Sequence, residues 1–208
     1  MKAKPTLIVT GVLVLSACVF LFANHSGKIP PKECIKLNND GVKHLMNYSM
    51  DEKDELNKAV DLFKQAINCD STYLTAYENL SNAYNQGNNN SEEMIILNKI
   101  LILTKNAPTT LVSKGVLFEK MNHLDSAKEI YILAKQGFEK RLKKHPDNIG
   151  LIEGMILLKA ITDGKDEAIK EVDQQIKLHP ELSSKLSFEY EIYEHFERHA
   201  YIYNLTTE

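Results

Sequence analysis

From position 32 onward, apolar residues recur three and four positions apart along most of the chain. That period matches the turn of an α-helix, and almost no segment alternates in the manner of a β-strand. Apolar stretches of about 13 to 20 residues are separated by polar, glycine or proline residues. The separations fall at residues 49–54, 87–91, 106–108, 145–148, 163–164 and 179–180. The pattern predicts an all-α fold built from successive helices.

The composition agrees with this prediction and excludes one class of partner. The chain has 208 residues, of which 43% are hydrophobic and 25% charged, as in ordinary globular proteins. Gly (9) and Pro (6) are sparse, which favours helices because both residues interrupt them. The formal net charge of -3 gives no overall attraction to nucleic acid, so no nucleic-acid partner is expected.

The N-terminal segment has a pattern of its own. Lys2 and Lys4 precede residues 6–23, which carry no charged side chain, and residues 7–15 have the length of the apolar core of a secretory signal. Residues 15–18, with the sequence LSAC, resemble the lipobox of bacterial lipoproteins. The resemblance implies that residues 1–17 are a signal peptide and that the sulfur of Cys18 carries diacylglycerol.

An uncleaved membrane anchor is the alternative for the same segment. A helix over residues 6–23 would be roughly 27 Å long, just short of the thickness of the hydrocarbon core. Both interpretations place the body of the protein outside the cytoplasm, and in the lipoprotein case residues 18–32 form a tether. The resemblance further implies a periplasm-facing protein of the outer membrane, because Val19 is not the Asp that retains such lipoproteins at the inner membrane in enterobacteria.

The helical stretches contain an internal repeat. Residues 76–84, AYENLSNAY, resemble the first helix of a tetratricopeptide repeat, and residues 59–67, AVDLFKQAI, resemble its second helix. Two further units rest on Gly115, Phe118, Ala127, Tyr131, Ala134, Ala168, Val172 and Pro180. In the first helix of the first unit, Gly41 gives a loose match.

The resemblance covers residues 33–181 and implies a solenoid of antiparallel helix pairs. The remaining segment, residues 182–208, is rich in aromatic residues, and we expect a helix over residues 182–204. This C-terminal helix caps the last repeat or, alternatively, presents an aromatic surface to a partner.

The three cysteines suggest one disulfide. If Cys18 carries a lipid, Cys34 and Cys69 remain as a pair in an oxidising compartment. In an antiparallel helix pair, the start of the first helix and the end of the second are neighbours, so a Cys34–Cys69 bond is geometrically plausible. Two free thiols are the alternative.

Candidate chemistry is sparse, and we expect neither a catalytic residue nor a cofactor. Glu191, His195 and His199 would share one face of a helix and could hold a metal, but we interpret them as a solvated polar face. The basic run at residues 140–144 suits the end of a helix, with contact to anionic lipid headgroups as an alternative. The sequence contains no glycine-rich phosphate loop, and no Ser/His/Asp triad can be picked out.

In tetratricopeptide proteins, the first helices of successive repeats line a concave groove that binds a protein or peptide. Mapped onto this sequence, the resemblance implies that the groove-facing residues of the second repeat are Thr75, Glu78, Asn79, Asn82 and Asn85. Their amides can donate and accept hydrogen bonds, including to an extended peptide backbone. The family's chaperone-binding members use Lys where this chain has Glu78 and Val112, which argues against a C-terminal carboxylate as the ligand.

The sequence therefore predicts a membrane-anchored tetratricopeptide scaffold that binds another protein in the bacterial cell envelope. Assembly, secretion or pilus-type machinery would be the partner. A periplasmic immunity lipoprotein that neutralises a delivered toxin is the first alternative, and a metal-dependent enzyme is the second.

Overall fold

The computed structural model describes residues 29–49 and 53–203. Within these residues the protein forms ten α-helices, one short 3-10 helix and no β-strand, so the predicted all-α fold is confirmed for this part of the chain. None of these helices combines the length and the apolar character needed to cross a bilayer. Cys18 and the predicted signal peptide or anchor lie outside the described residues.

The described chain divides into two compact units, an N-terminal unit of residues 29–130 and a C-terminal unit of residues 131–203. The N-terminal unit contains α1 (Lys32–Asn47), α2 (Lys53–Cys69), α3 (Leu74–Gln86), α4 (Asn90–Thr104) and α5 (Pro108–Lys120). Helix α6 (Leu124–Leu142) contributes residues to both units. The C-terminal unit continues with α7 (Ile149–Thr162), α8 (Lys165–Leu178), a 3-10 helix (Pro180–Leu182), α9 (Ser183–Glu194) and α10 (Arg198–Tyr203).

Consecutive helices pack against each other within each unit. In the N-terminal unit, α1 packs on α2, α2 on α3, α3 on α4, and α4 on α5. In the C-terminal unit, α7 packs on α8 and α8 packs on α9. This arrangement is compatible with an all-α helical repeat, in which each helix pair buries its apolar face against the next.

A glycine allows α1 and α2 to approach closely. Gly41 of α1 lies against the ring of Phe63 of α2, and a Cβ atom added at Gly41 would lie 2.7 Å from that ring. Phe63 is fully buried in a cluster with Leu56, Ala59, Leu80, Ala83 and Tyr84. The missing side chain at position 41 therefore lets α1 cover the ring without a void.

Residues in the left-handed backbone conformation follow several helices near the breaks that the sequence predicts. Asn88 follows α3 with φ 54°, and Lys105 and Asn106 follow α4 with φ 52° and 60°. Asn tolerates this conformation better than most residues, which explains its use where the chain must leave a helix and reverse. At the start of α7, the Asn148 side chain accepts a hydrogen bond from the Leu151 backbone amide at 3.0 Å, as an N-cap should.

The C-terminal unit has its own core, formed by Ile152, Ile156, Ala160, Ala168, Val172, Leu186 and Tyr193.

The continuous helix predicted over residues 182–204 differs from the structure, which ends α9 at Glu194 and starts α10 at Arg198. Phe196 lies in the break and packs against the core, with its ring centroid 5.8 Å from that of Tyr193. The Arg198 Nε atom donates to the Ile161 carbonyl oxygen at 2.6 Å. The helix is interrupted at the point where the Phe196 side chain is partly buried and where Arg198 contacts the backbone of α7.

Candidate functional site: the polar face of α3

The five residues predicted to line a groove all lie on α3. Thr75, Glu78, Asn82 and Asn85 are half-buried, whereas the Asn79 side chain is buried. We call Thr75, Glu78 and Asn82 the α3 polar face, because Asn79 and Asn85 form hydrogen bonds to other helices. Asn82 accepts a hydrogen bond from the Gln86 amide at 3.4 Å, one turn further along α3.

Asn79 joins α3 to α1. Its Nδ2 atom donates to the Oδ1 atom of Asn38 at 2.9 Å, and both residues are buried, at 8% and 4% exposure. A buried amide without such a partner would cost about 1 to 3 kcal/mol, so this pair fixes the register between the two helices. The groove role predicted for Asn79 therefore competes with a structural hydrogen bond that the sequence did not reveal.

Asn85 takes part in a polar cluster between α3, α4 and the end of α5. Its Nδ2 atom donates to both carboxylate oxygens of Glu93, at 3.1 and 3.2 Å. Burial raises the pKa of Glu93 to about 7, while the Asn85 hydrogen bond and the charge of Lys120 oppose the rise. Burial lowers the pKa of Lys120, and the charge of Glu93 opposes that change.

Sequence reasoning missed the buried role of Glu93, because a carboxylate at the start of a helix is usually a partner of the helix dipole. A signal was available: Glu93, Leu97 and Ile100 are four and three positions apart and form one buried stripe. The Lys120 Nζ atom is also buried and, within the part of the chain that the structure describes, has no hydrogen-bond partner.

The α3 polar face also carries a perturbed carboxyl group. Burial raises the pKa of Glu78 to about 7, so near neutral pH the side chain exchanges between a hydrogen-bond donor and a charged acceptor. Together with Thr75 and Asn82, it gives α3 a polar surface that can pair with backbone amides and carbonyls of a bound segment.

Cys34 and Cys69 are bonded to each other in the structure, with their Cα atoms 5.5 Å apart. Cys34 is buried at the start of α1, and Cys69 is exposed at the end of α2. Within the described residues, the three groups close enough to share a metal are Glu33 and these two cysteines. Their sulfurs are joined as a disulfide and offer no thiolate, so this cluster cannot act as a metal site.

The suggested metal ligands near the C-terminus do not converge. Glu191 belongs to α9, His195 follows its end, and His199 belongs to α10, so the three side chains do not share one helix. The His199 ring instead packs against that of Tyr203, with centroids 4.7 Å apart. Among the described residues, these side chains form no cluster within reach of a single ion.

A second pair of perturbed carboxyl groups lies in the C-terminal unit, between α7 and α9. Burial raises the pKa of Glu189 to about 7, the charge of Glu153 raises it further, and a hydrogen bond from Tyr193 opposes the rise. Burial also raises the pKa of Glu153, against the charge of Lys185. Sequence reasoning missed this pair, because the two residues are far apart in the chain and no local pattern connects them.

Comparison with protein families and curated proteins identifies no relative, since no protein-family model and no curated protein matches the sequence. The functional argument therefore depends on the residues themselves.

Proposed function

We propose that this protein is an exported helical-repeat scaffold, held at a membrane by its N-terminal segment, that binds another protein in the bacterial cell envelope. The observation that carries the binding role is the consecutive packing of α1 to α5, in which α1, α3 and α5 alternate with α2 and α4. Such alternation gives successive odd-numbered helices equivalent positions, as binding surfaces of helical repeats require. No catalytic role is proposed.

The assignment to tetratricopeptide repeats is part of this proposal. Its support is that the motif positions of α2 and α3 are buried: Tyr77, Leu80 and Tyr84 on α3 are at most 8% exposed. Ala59, Phe63 and Ala66 on α2 are fully buried. The contact between Gly41 and Phe63 extends the same small-against-large packing to the first helix.

Location in the envelope is supported by the cysteines. A disulfide between Cys34 and Cys69 persists in an oxidising compartment and is rare in the cytosol. Export fits the lipobox-like sequence ending at Cys18, whether the chain is lipidated there or anchored through residues 6–23. The outer membrane, with the body facing the periplasm, is the proposed destination.

The α3 polar face is the proposed contact with the partner. Thr75 and Asn82 offer neutral donors and acceptors, and Glu78 lies between them in the sequence. A segment in extended conformation presents alternating amides and carbonyls that such side chains can pair with. The proposed ligand is therefore a protein segment recognised largely through its backbone.

Site-specific photo-crosslinking in the native host tests this proposal. A photoreactive amino acid replaces Asn82 in one strain, and Asn98, an exposed residue on α4, in the control strain. We expect a discrete protein adduct from position 82 that is missing from position 98. Identical adducts from both positions, or no adduct from position 82 in a membrane-associated chain, would contradict the proposal. The identity of the adduct separates an assembly component from a delivered toxin.

A further inference from the structure

Five exposed lysines lie at one end of the C-terminal unit, which we call the basic end: Lys140, Lys143, Lys144, Lys177 and Lys185. Within the described residues, none of their ammonium groups lies within ion-pair distance of a carboxylate. Several lysines elsewhere are paired, with Lys43 at 2.7 Å from Asp40 and Lys170 at 2.5 Å from Glu167. The basic end therefore concentrates cations whose charge is not neutralised by a direct partner.

The chain path brings these lysines together. Helices α7, α8 and α9 follow one another in antiparallel order with short connections, so the end of α8 and the start of α9 are neighbours. Leu142, at the end of α6, packs against the same core as Ile176 of α8 and Leu182 before α9. The last turn of α6 therefore lies at the same end of the unit as Lys177 and Lys185.

Two apolar side chains protrude among the lysines. Leu178 is 61% exposed and directly follows Lys177, and Phe188 is 70% exposed. Lys185 is three positions before Phe188 on α9, which places the two on one face of the helix. Apolar side chains beside lysines are typical of segments that lie in the interface of a membrane.

Acidic groups near the basic end offset its charge only in part. The exposed carboxylates there are Glu139, Asp147, Asp173 and Glu181. The half-buried Glu153 near the start of α7 also belongs to this count, because the charge of Lys185 acts on it. Counted as formal charges, the five lysines and Arg141 outnumber these five carboxyl groups by one, so the basic end carries a small net positive charge.

We propose that the basic end is a docking surface for a bilayer containing anionic lipids, with Leu178 and Phe188 entering the headgroup region. The lysines are distributed over the ends of α6 and α8 and the start of α9, which suits a broad charged surface. The two apolar side chains stand out singly, as insertion between headgroups requires, and this favours a bilayer over an acidic protein. The docking surface is additional to the proposed membrane anchor and to the proposed partner contact on α3.

The chain contains no tryptophan, so Phe188→Trp introduces a single fluorescent probe at the basic end. The full-length variant is reconstituted with vesicles of phosphatidylcholine alone, or of phosphatidylcholine and phosphatidylglycerol in a three-to-one ratio. We expect emission at shorter wavelength, and quenching by brominated lipid, in the anionic vesicles only. The shift should reverse in about 1 M salt, where the Debye length is about 3 Å.

Charge removal tests whether the lysines cause the docking. Lys140→Gln, Lys143→Gln and Lys144→Gln together should lower the ratio of docked to undocked probe by on the order of tenfold or more. The matched control replaces Lys36, Lys53 and Lys99, three exposed lysines of the N-terminal unit, with Gln and should leave the shift unchanged. Both sets are exposed, and circular dichroism checks that the helices remain folded.

A second probe and a second ligand complete the experiment. Ile95→Trp places a tryptophan at an equally accessible site on α4, where Ile95 is 67% exposed, and its emission should not respond to lipid charge. Cosedimentation with vesicles reports attachment through the N-terminal segment, independently of the probe. A failure of the N-terminal attachment is therefore distinguished from a failure of the docking surface. Equal emission from the Phe188→Trp probe in both kinds of vesicle would overturn the proposal. A shift caused by polyglutamate but not by anionic vesicles would also overturn it and identify an acidic polypeptide as the ligand.

Discussion

In the first helix pair, α1 and α2 are joined by the Cys34–Cys69 disulfide and by the contact of Phe63 with Gly41. In the C-terminal unit, α7 and α9 instead meet at two half-buried carboxyl groups, Glu153 and Glu189. The first arrangement is covalent and steric, and it does not depend on protonation. The second places like charges near each other in a region that disfavours charge, and so makes stability depend on pH.

The carboxyl groups at these two contacts also shift in opposite directions: the pKa falls on α1 and α2 and rises for Glu153 and Glu189. On α1, a hydrogen bond from Lys43 lowers the pKa of Asp40, and on α2, hydrogen bonds from Lys58 and His44 lower the pKa of Glu55. These groups favour the folded state once they are ionised, and their contribution is lost as the pH falls. In the C-terminal unit, the raised pKa of Glu189 means that the folded state is favoured when the group is protonated. The carboxyl groups of α1 and α2 and Glu189 therefore contribute to stability in opposite senses as the pH falls.

Removing the disulfide should have the largest effect. Cys34 and Cys69 are 35 positions apart, and their bond closes the intervening chain into a loop. Replacing both with Ala opens that loop. We expect the free energy of unfolding of the N-terminal unit to fall by about 4 kcal/mol, because the unfolded chain gains the entropy of the open loop. Hydrogen exchange measured by mass spectrometry should show faster exchange in α1 and α2, with α7 to α9 unchanged.

Reductant provides the control for this variant. It should accelerate exchange of α1 and α2 in the natural chain to the level of the variant, and should have no further effect on the variant itself. Faster exchange of α7 to α9 in the variant would show that the two regions are not held independently.

The pH response of the C-terminal unit should give the next largest effect. The folded-state pKa of Glu189 is about 7, above the ordinary value of 4.5, so the unfolded state releases its proton first as the pH rises. The stability of the unit should therefore fall between about pH 4.5 and about pH 7 and level off above that. Glu189→Gln keeps the side chain neutral and able to accept the hydrogen bond from Tyr193.

The variant should be more stable than the natural chain above pH 7, by on the order of 2 kcal/mol, and equally stable near pH 4. Denaturant unfolding followed across this range, with hydrogen exchange to assign the change to α7 to α9, provides the measurement. Glu191→Gln, an exposed position on the same helix, is the matched control and should leave the pH profile unchanged. If the stability of Glu189→Gln fell with pH as steeply as that of the natural chain, Glu189 would not be the group responsible.

The helical part of the fold could be predicted because its signals are local. The apolar period and the polar breaks identify helices, and the left-handed Asn88 and Asn106 lie at breaks visible in the sequence. The proximity of Cys34 and Cys69 also followed from antiparallel packing of two neighbouring helices. These inferences require only the residues of one helix pair and its turn.

The remaining features depend on contacts between distant residues. Asparagine is usually found at the surface, so the sequence does not indicate that Asn79 is buried. Its burial against Asn38 follows from how α3 lies on α1. The interruption of the last helix depends on Phe196 reaching the core of the C-terminal unit. The perturbed carboxyl groups depend in the same way on their surroundings, so the candidate site was predicted less completely than the helices that carry it.

Adding one methyl group at Gly41 should give the smallest of the three effects and tests the steric half of the comparison. The new Cβ atom would lie 2.7 Å from the Phe63 ring, so the ring or α1 must move. Overpacking of this kind costs about 1 to 3 kcal/mol, and the better helix propensity of Ala offsets about 1 kcal/mol of it. We expect Gly41→Ala to lower the free energy of unfolding of the N-terminal unit by about 1 kcal/mol, with no dependence on pH.

Two further variants show whether the ring contact causes this cost. Phe63→Leu should couple to Gly41→Ala, because a smaller side chain leaves room for the methyl group. Gly87→Ala is the control, since its Cβ would lie closest to the side-chain ends of Asn89 and Leu56, with the Ala83 carbonyl oxygen at an ordinary 3.5 Å, and should cost less. A larger cost at position 87 than at position 41 would show that the ring contact does not limit how closely α1 and α2 approach.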